Sequence, residues 1–158
     1  MSKSKAKGTA AETAVLRWMR DHGFPWAERL ALQGAADCGD LSLLPGRAVV
    51  VEVKNHATGA AGQPPAGQLT DWMRQTETER VNAAADHAAL IVKRAGTTDV
   101  GRWWCYVRLG DLARLDRGER ADDLYGRIRS TAVCLDVATW ALMLRHGGWG
   151  DPPEELLP

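Results

Sequence analysis

The fold of this chain is decided by residues 40–54, which read DLSLLPGRAVVVEVK. A short alternating segment, a Pro-Gly pair and a run rich in valine are typical of a β-hairpin, so we predict strands over 40–44 and 47–54. The second strand is apolar until its end, where Glu52 and Lys54 stand two residues apart. Because strand side chains alternate, these two charges share one face and the neighbouring valines occupy the other.

Outward from the hairpin, the sequence predicts an α/β domain with a central mixed sheet flanked by helices. We predict helices at 9–22, 69–84, 111–115 and 136–145, and further strands at 29–32, 88–92, 102–107 and 132–135. Residues 1–8 are predicted to form a basic mobile arm. Thr9 and Glu12 have the spacing of a capping box, which would start the first helix at Thr9.

Length and composition exclude several classes of protein. The chain has 158 residues, the size of one ordinary domain, with 45% hydrophobic and 25% charged residues, which argues against disordered and fibrous chains. Lys and Arg number 20 and so do Asp and Glu, so any basic footprint for nucleic acid must be local. Residues 1–110 hold 14 of these basic residues against 11 acidic ones, and 111–158 hold 6 against 9.

The cysteines and the apolar runs bear on compartment. Cys38, Cys105 and Cys134 are an odd number with no C-x-x-C spacing, so we expect neither a disulfide framework nor a zinc ribbon. No secretion signal is visible, and no apolar run approaches the roughly 18 residues of a membrane span. We therefore expect a cytoplasmic protein without a membrane segment.

The hairpin also carries the chemistry. Asp40 begins the first strand, so its carboxylate can approach that of Glu52, and two carboxylates beside Lys54 supply ligands for Mg²⁺ and a cation for a phosphate. Phosphodiester hydrolysis needs these parts. Asp37 competes with Asp40 for the same role, and Glu52 with Lys54 alone favours a solvated ion pair at a strand end.

Glu12 adds a third carboxylate. On a helical wheel it shares a face with Val15, Leu16 and Met19, so it points toward the protein. Closing a capping box with Thr9 and serving a reaction are both open to it, and the two roles are compatible.

These segments together resemble the PD-(D/E)xK nuclease superfamily, and among its members the Holliday junction resolvases of archaeal and bacteriophage type. The resemblance rests on KGTAAE at 7–12, GDL at 39–41 and VVEVK at 50–54, and it covers about residues 5–108. It implies a restriction-endonuclease-like core at about 8–108 of a single nuclease domain, 1–158, with residues 109–158 as a C-terminal extension. Gly39 stands where the motif has proline, a departure that bears on the choice of Asp40.

The resemblance implies a role for each matching residue. Asp40 and Glu52, with the Val53 carbonyl, would bind Mg²⁺, for which Mn²⁺ is an alternative, and Glu12 would complete the metal site. Lys54 would activate the attacking water and steady the phosphate.

Weaker candidates lie outside the motif. Gln75 and Glu79 are one turn apart on the helix after the hairpin and can point into the cleft, and related nucleases often place a Gln there; a polar helix edge is the alternative. We count Gln75 among the catalytic candidates. His56 is a candidate for a phosphate contact or a proton shuttle, against an exposed loop histidine.

Two further features point to surfaces. Trp103 and Trp104 are adjacent on a strand, so one of them must face away from the core, toward other protein or a stacked base. Lys3, Lys5 and Lys7 form either a phosphate-tracking arm or a solubilising tail.

The function predicted from the sequence is a Mg²⁺-dependent, structure-selective DNA endonuclease, a Holliday junction resolvase of recombination and repair acting as a homodimer. Two alternatives stay open. One is a nuclease of the same superfamily that cuts flaps, ends or foreign duplex. The other is a non-catalytic DNA-binding module of the same fold, in which Glu52 and Lys54 pair only with each other.

Overall fold

The strands of this protein lie side by side in chain order in one mixed sheet. The computed structural model describes residues 3–31, 37–55, 59–117 and 130–153. Within these ranges the strands are β1 (Glu28–Arg29), β2 (Leu41–Ser42), β3 (Val49–Lys54), β4 (His87–Val92), β5 (Trp104–Arg108) and β6 (Ala132–Asp136). β3 and β4 are parallel, and every other neighbouring pair is antiparallel.

Helices cover the sheet and connect its strands. They are α1 (Lys3–Asp21), α2 (Ala66–Ala83), α3 (Leu109–Arg117) and α4 (Val137–His146). α2 is the crossover that parallel pairing of β3 and β4 requires. The predicted fold class, an α/β domain with a central mixed sheet flanked by helices, is confirmed. In the part of the chain that the structure describes, no helix is both long and apolar enough to cross a membrane.

β3 separates an apolar face of the sheet from a face that carries charge. Val49, Val51 and Val53 join the main hydrophobic cluster, to which α1 and α4 contribute. Glu52 and Lys54 point the other way, toward α2, where Glu52 meets Gln75. The alternation predicted for this strand is therefore confirmed, and the charged face is covered by a helix with polar side chains.

The prediction for the N-terminus was wrong. Lys3 to Gly8 belong to α1 and are not a mobile arm, and Thr9 lies inside the helix, so it is not an N-cap and Glu12 closes no capping box. Lysine and alanine are good helix formers, and their propensity carries the helix through Gly8. The Thr9 carbonyl accepts hydrogen bonds from the Thr13 hydroxyl and the Arg29 guanidinium.

The region predicted as a C-terminal extension completes the sheet and the core. β6 pairs with β5, and Trp140 and Leu144 of α4 are fully buried in the main cluster. Asp136 caps α4, its side chain accepting a hydrogen bond from the Thr139 N–H (2.7 Å). The described part of residues 109–158 is thus a structural component of the same domain.

Two predictions at strand level can also be compared with the structure. The strand predicted at 29–32 is shorter, since β1 ends at Arg29, although the Leu30 N–H still donates to the Asp40 carbonyl (2.9 Å). Trp103 precedes β5 rather than lying in the strand as predicted, and Trp103 and Trp104 face opposite sides of the sheet. Trp103 is buried in the main cluster, and Trp104 packs on the α2 side, so both rings lie against protein.

Candidate active site

The hairpin places Asp40 beside the end of β3. The Asp40 N–H donates to the Val51 carbonyl (3.0 Å), and its Oδ2 accepts a hydrogen bond from the Val53 N–H (2.8 Å). These two hydrogen bonds hold the Asp40 carboxyl next to Glu52, close enough for each group to perturb the pKa of the other. The convergence of Asp40 and Glu52 expected from the sequence is therefore present in the structure.

Glu52 is buried and held by two donors. Its side chain accepts hydrogen bonds at Oε1 from the Lys54 ammonium and from Gln75 Nε2 (3.2 Å). Lys54 in turn lies 5.9 Å from the centre of the Trp72 ring. The candidate lysine and carboxylate are thus fixed by the strand, by α2 and by each other.

Burial and nearby negative charge raise the pKa of both carboxyls. Burial raises the pKa of Asp40 to about 7, and the charge of Glu52 adds to the rise. Burial also raises the pKa of Glu52 to about 7; the charge of Glu79 adds to it and Lys54 opposes it. A cation placed between the carboxylates would relieve both effects, since it favours the ionised forms.

Glu79 is the residue whose importance the sequence underestimated. Its side chain is only 2% exposed, and Gln75 Nε2 donates to its Oε1 (2.7 Å). Its Oε2 is buried without a hydrogen-bond partner, and burial, followed by the charges of Asp37 and Asp40, raises its pKa. The spacing of Gln75 and Glu79 was the available signal, but it does not show that Glu79 reaches the hairpin.

Glu12 of α1 and Arg29 of β1 also lie at the candidate site. Glu12 Oε2 forms an ion pair with Arg29 Nη1 (2.7 Å), and Arg29 also donates to the Thr13 hydroxyl (2.6 Å). Arg29 was not a sequence candidate, because nothing in its predicted strand shows that β1 lies against α1. The face of α1 predicted for Glu12 is confirmed, since Val15 and Met19 lie in the core.

These side chains enclose a cleft with a volume of about 420 Å³. Its lining residues are Gly8, Thr9, Glu12, Arg29, Leu30, Asp37, Gly39, Asp40 and Glu52. The cleft brings the predicted residues Glu12, Asp40 and Glu52 together, with Lys54 and Gln75 bonded to Glu52 from the α2 side.

Gly39 explains the departure from the proline of the motif. Its φ is +92°, a conformation that proline, with φ near −65°, cannot adopt. A Cβ at this position would lie 3.3 Å from the Val51 carbonyl oxygen and 3.6 Å from Glu79 Oε2. The glycine therefore allows the backbone before Asp40 to pass close to β3 and α2.

Asp37 lines the same cleft but is placed differently. It is exposed, its Oδ1 accepts a hydrogen bond from the Gly39 N–H (3.1 Å), and its carbonyl accepts one from Asn82 (2.8 Å). The structure puts Asp40 rather than Asp37 beside Glu52. His56 lies outside the described residues.

The donor set is suited to a hard divalent cation. Asp40 and Glu52 offer carboxylate oxygens of the kind Mg²⁺ and Mn²⁺ prefer, and Glu79 contributes a buried oxygen without a partner. Among the residues described, no group of three or more His, Cys, Asp or Glu side chains is placed so that it could hold a metal ion. Lys54 forms an ion pair with Glu52, and Arg29 forms one with Glu12. A bound cation would therefore share each carboxylate with a basic side chain.

Comparison of the chain with protein families, with curated proteins and with solved structures found no match.

Proposed function

We propose that this protein is a Mg²⁺-dependent DNA endonuclease that cuts four-way junctions as a homodimer. The observation that supports the proposal is the meeting of Asp40 and Glu52 at the end of β3, with Lys54 on the same face. Two crowded carboxylates, Glu52 buried and Asp40 half-buried, are a costly arrangement beside a lysine, and catalysis of phosphodiester hydrolysis gives a reason for that cost. Mn²⁺ is an alternative metal, and the proposal includes a cytoplasmic location.

Each side chain has a role in this proposal. Asp40 and Glu52 bind the cation, with the Val53 carbonyl and Glu12 as further ligands, and the cation when bound polarises the phosphate and lowers the pKa of water. Lys54, whose side chain is 16% exposed, donates to a phosphate oxygen and stabilises the charge that develops there. Gln75 orients Glu52 through the hydrogen bond to Oε1.

The choice of substrate within this proposal follows from symmetry and from the resemblance to junction resolvases. A four-way junction has two equivalent strands to cut, and a two-fold dimer presents two equivalent clefts. Such an enzyme recognises the spacing and angle of two backbones rather than base edges.

One observation favours the non-catalytic alternative. Glu52 and Lys54 do pair with each other, as expected for a DNA-binding module that keeps the fold without the reaction. Against it stands Glu79, because a buried carboxylate oxygen without a partner is a poor choice for structure alone. A module without chemistry would gain stability by losing that charge.

The test is a cleavage assay on a four-way junction, a flap and a linear duplex of matched sequence. We expect paired nicks on opposing strands of the junction with Mg²⁺, none with EDTA, and little cutting of linear duplex. Glu52→Gln should bind the junction without cutting it. Absence of cutting by the wild type with either Mg²⁺ or Mn²⁺ would favour the non-catalytic module.

The same assay distinguishes a junction resolvase from a nuclease that acts on another DNA substrate. Single nicks, or comparable cutting of flap or duplex, would favour a nuclease with another DNA substrate. A monomeric solution mass at micromolar concentration would contradict the paired mechanism.

A further inference from the structure

A second depression, of about 520 Å³, lies beyond the candidate site at the ends of the parallel strands. Asn55, Lys93, Arg94 and Thr98 are among its lining residues. The Lys93 N–H donates to the Lys54 carbonyl (2.8 Å), and Asn55 follows Lys54 directly in the chain. The depression therefore begins one residue past the lysine of the candidate site.

A smaller cavity of about 270 Å³ extends the depression toward α1. It shares Asn55, Lys93 and Thr98 with the first cavity and adds Lys7. The Asn55 side chain donates to the Lys7 carbonyl (2.9 Å), which ties the end of β3 to α1. We call the two cavities together the basic groove, defined by Lys7, Asn55, Lys93, Arg94 and Thr98.

Two cations of the groove, Lys93 and Arg94, lie over aromatic rings. Lys93 Nζ lies 5.7 Å from the centre of the Trp103 ring, and the Arg94 guanidinium carbon lies 4.2 Å from that of Trp104. Among the residues the structure describes, neither cation forms an ion pair with a carboxylate. Within the described part of the chain their charge is held in place without being neutralised by a carboxylate, so it is available to an anion.

The positive charge of the groove also bears on the repulsion between the carboxylates of the cleft and the phosphates of DNA. Asp37, Asp40 and Glu52 line the cleft and add negative charge where the proposed substrate, a polyanion, must approach. Cations immediately beside that charge would offset the repulsion between carboxylates and phosphates. The groove donors are ammonium, guanidinium, amide and hydroxyl groups, which suit phosphate oxygens.

We propose that the basic groove binds a phosphate of the DNA strand adjacent to the phosphate that is cleaved. The inference rests on the proposed function, because it names the part of the substrate that the same site region would bind. The contact positions the strand and carries no sequence information.

The experiment measures binding of the full chain to a labelled four-way junction in EDTA, over a series of salt concentrations. The variants are Lys93→Met and Arg94→Met, made separately, which keep an apolar stem against the tryptophan rings. Arg74→Met is the matched control. It removes a cation that is 73% exposed on α2 and whose ion pair with Asp71 contributes little to stability.

We expect each groove variant to make the negative slope of log K against log salt shallower by about 0.9, which is about eightfold weaker binding at 0.1 M salt. Arg74→Met should leave the slope unchanged, and all three variants should unfold at the wild-type temperature.

Failure of the groove and failure of the proposed function give different results. Groove variants that bind like Arg74→Met, in a wild type that cuts, would overturn the groove alone. If the groove variants bind more weakly but the wild type never cuts, the proposed endonuclease activity is overturned and the groove proposal stands. A wild type without any salt-dependent binding to the junction would overturn the groove proposal.

Discussion

Replacing Glu52 by Gln should stabilise the metal-free protein at alkaline pH while removing cleavage. The carboxyl is 5% exposed, and burial raises its pKa from 4.5 to about 7. At about 1.36 kcal/mol for each unit of pKa, that rise corresponds to a loss of about 3 kcal/mol of folding free energy when the group is ionised. Glutamine keeps the shape and the Gln75 contact without the charge.

The sign follows from proton binding. Between pH 4.5 and about 7 the folded state binds more protons at Glu52 than the unfolded state does, so stability falls as pH rises through this window. Above it the full penalty is present. Lys54 loses its partner in the variant, but its side chain is 16% exposed and reaches water, so we expect a net gain of about 1–3 kcal/mol.

The assay is thermal unfolding with EDTA at about pH 8.5 and about pH 4.5. For a chain of this length, about 1 kcal/mol shifts Tm by about 2–4 °C, so Glu52→Gln should unfold about 2–12 °C higher at the alkaline pH and near the wild type at the acidic pH. Glu12→Gln, which loses the Arg29 ion pair, is the control and should gain nothing. A Glu52→Gln variant less stable than the wild type at pH 8.5, or equally stabilised at both pH values, would refute the reasoning.

Three further predictions use the same site and core. Asp40→Asn should reduce cleavage by more than about 100-fold, because loss of a group supporting a metal ligand already costs 10–100-fold. Asp37→Asn should leave cleavage within a few-fold of the wild type. Single-turnover cleavage measures both variants, and the reverse order of effects would move the site to Asp37. Lys54→Ala should lower kcat by about 100–1000-fold and change junction affinity less than tenfold, and equal losses in a titration and a rate measurement would make Lys54 a docking residue. Trp140→Ala should lower the free energy of unfolding in urea by about 3–5 kcal/mol, because the ring is fully buried. Trp26→Ala, whose residue is 68% exposed, should lower it by about 0.5 kcal/mol or less. Similar losses for the two variants would contradict the assigned core.

The sequence signals that succeeded are those whose physical cause is local and periodic. Alternation over 47–54 predicted that Glu52 and Lys54 share a face, because successive strand side chains must point to opposite sides. The same rule separated Trp103 from Trp104. The hairpin, the helix after it and the later strands followed from turn residues and hydrophobic runs, so their type was predictable and only their ends moved.

The local signal that failed was the capping box at Thr9. Thr9 and Glu12 have the right spacing, but a cap competes with continued helix, and the lysine and alanine residues before it let α1 start at Lys3. The helix end was therefore settled by the sum of propensities over the whole segment rather than by the motif.

By itself, the sequence determined the α/β class, the hairpin and the shared face of Glu52 and Lys54, since these depend on short-range backbone geometry. Only the tertiary structure decided that Glu79 reaches the hairpin beside Gly39 and that Arg29 pairs with Glu12. These contacts join residues far apart in the chain, and their partners are set by how α1 and α2 pack on the sheet. Packing is a property of the whole core, so no motif spacing encodes it.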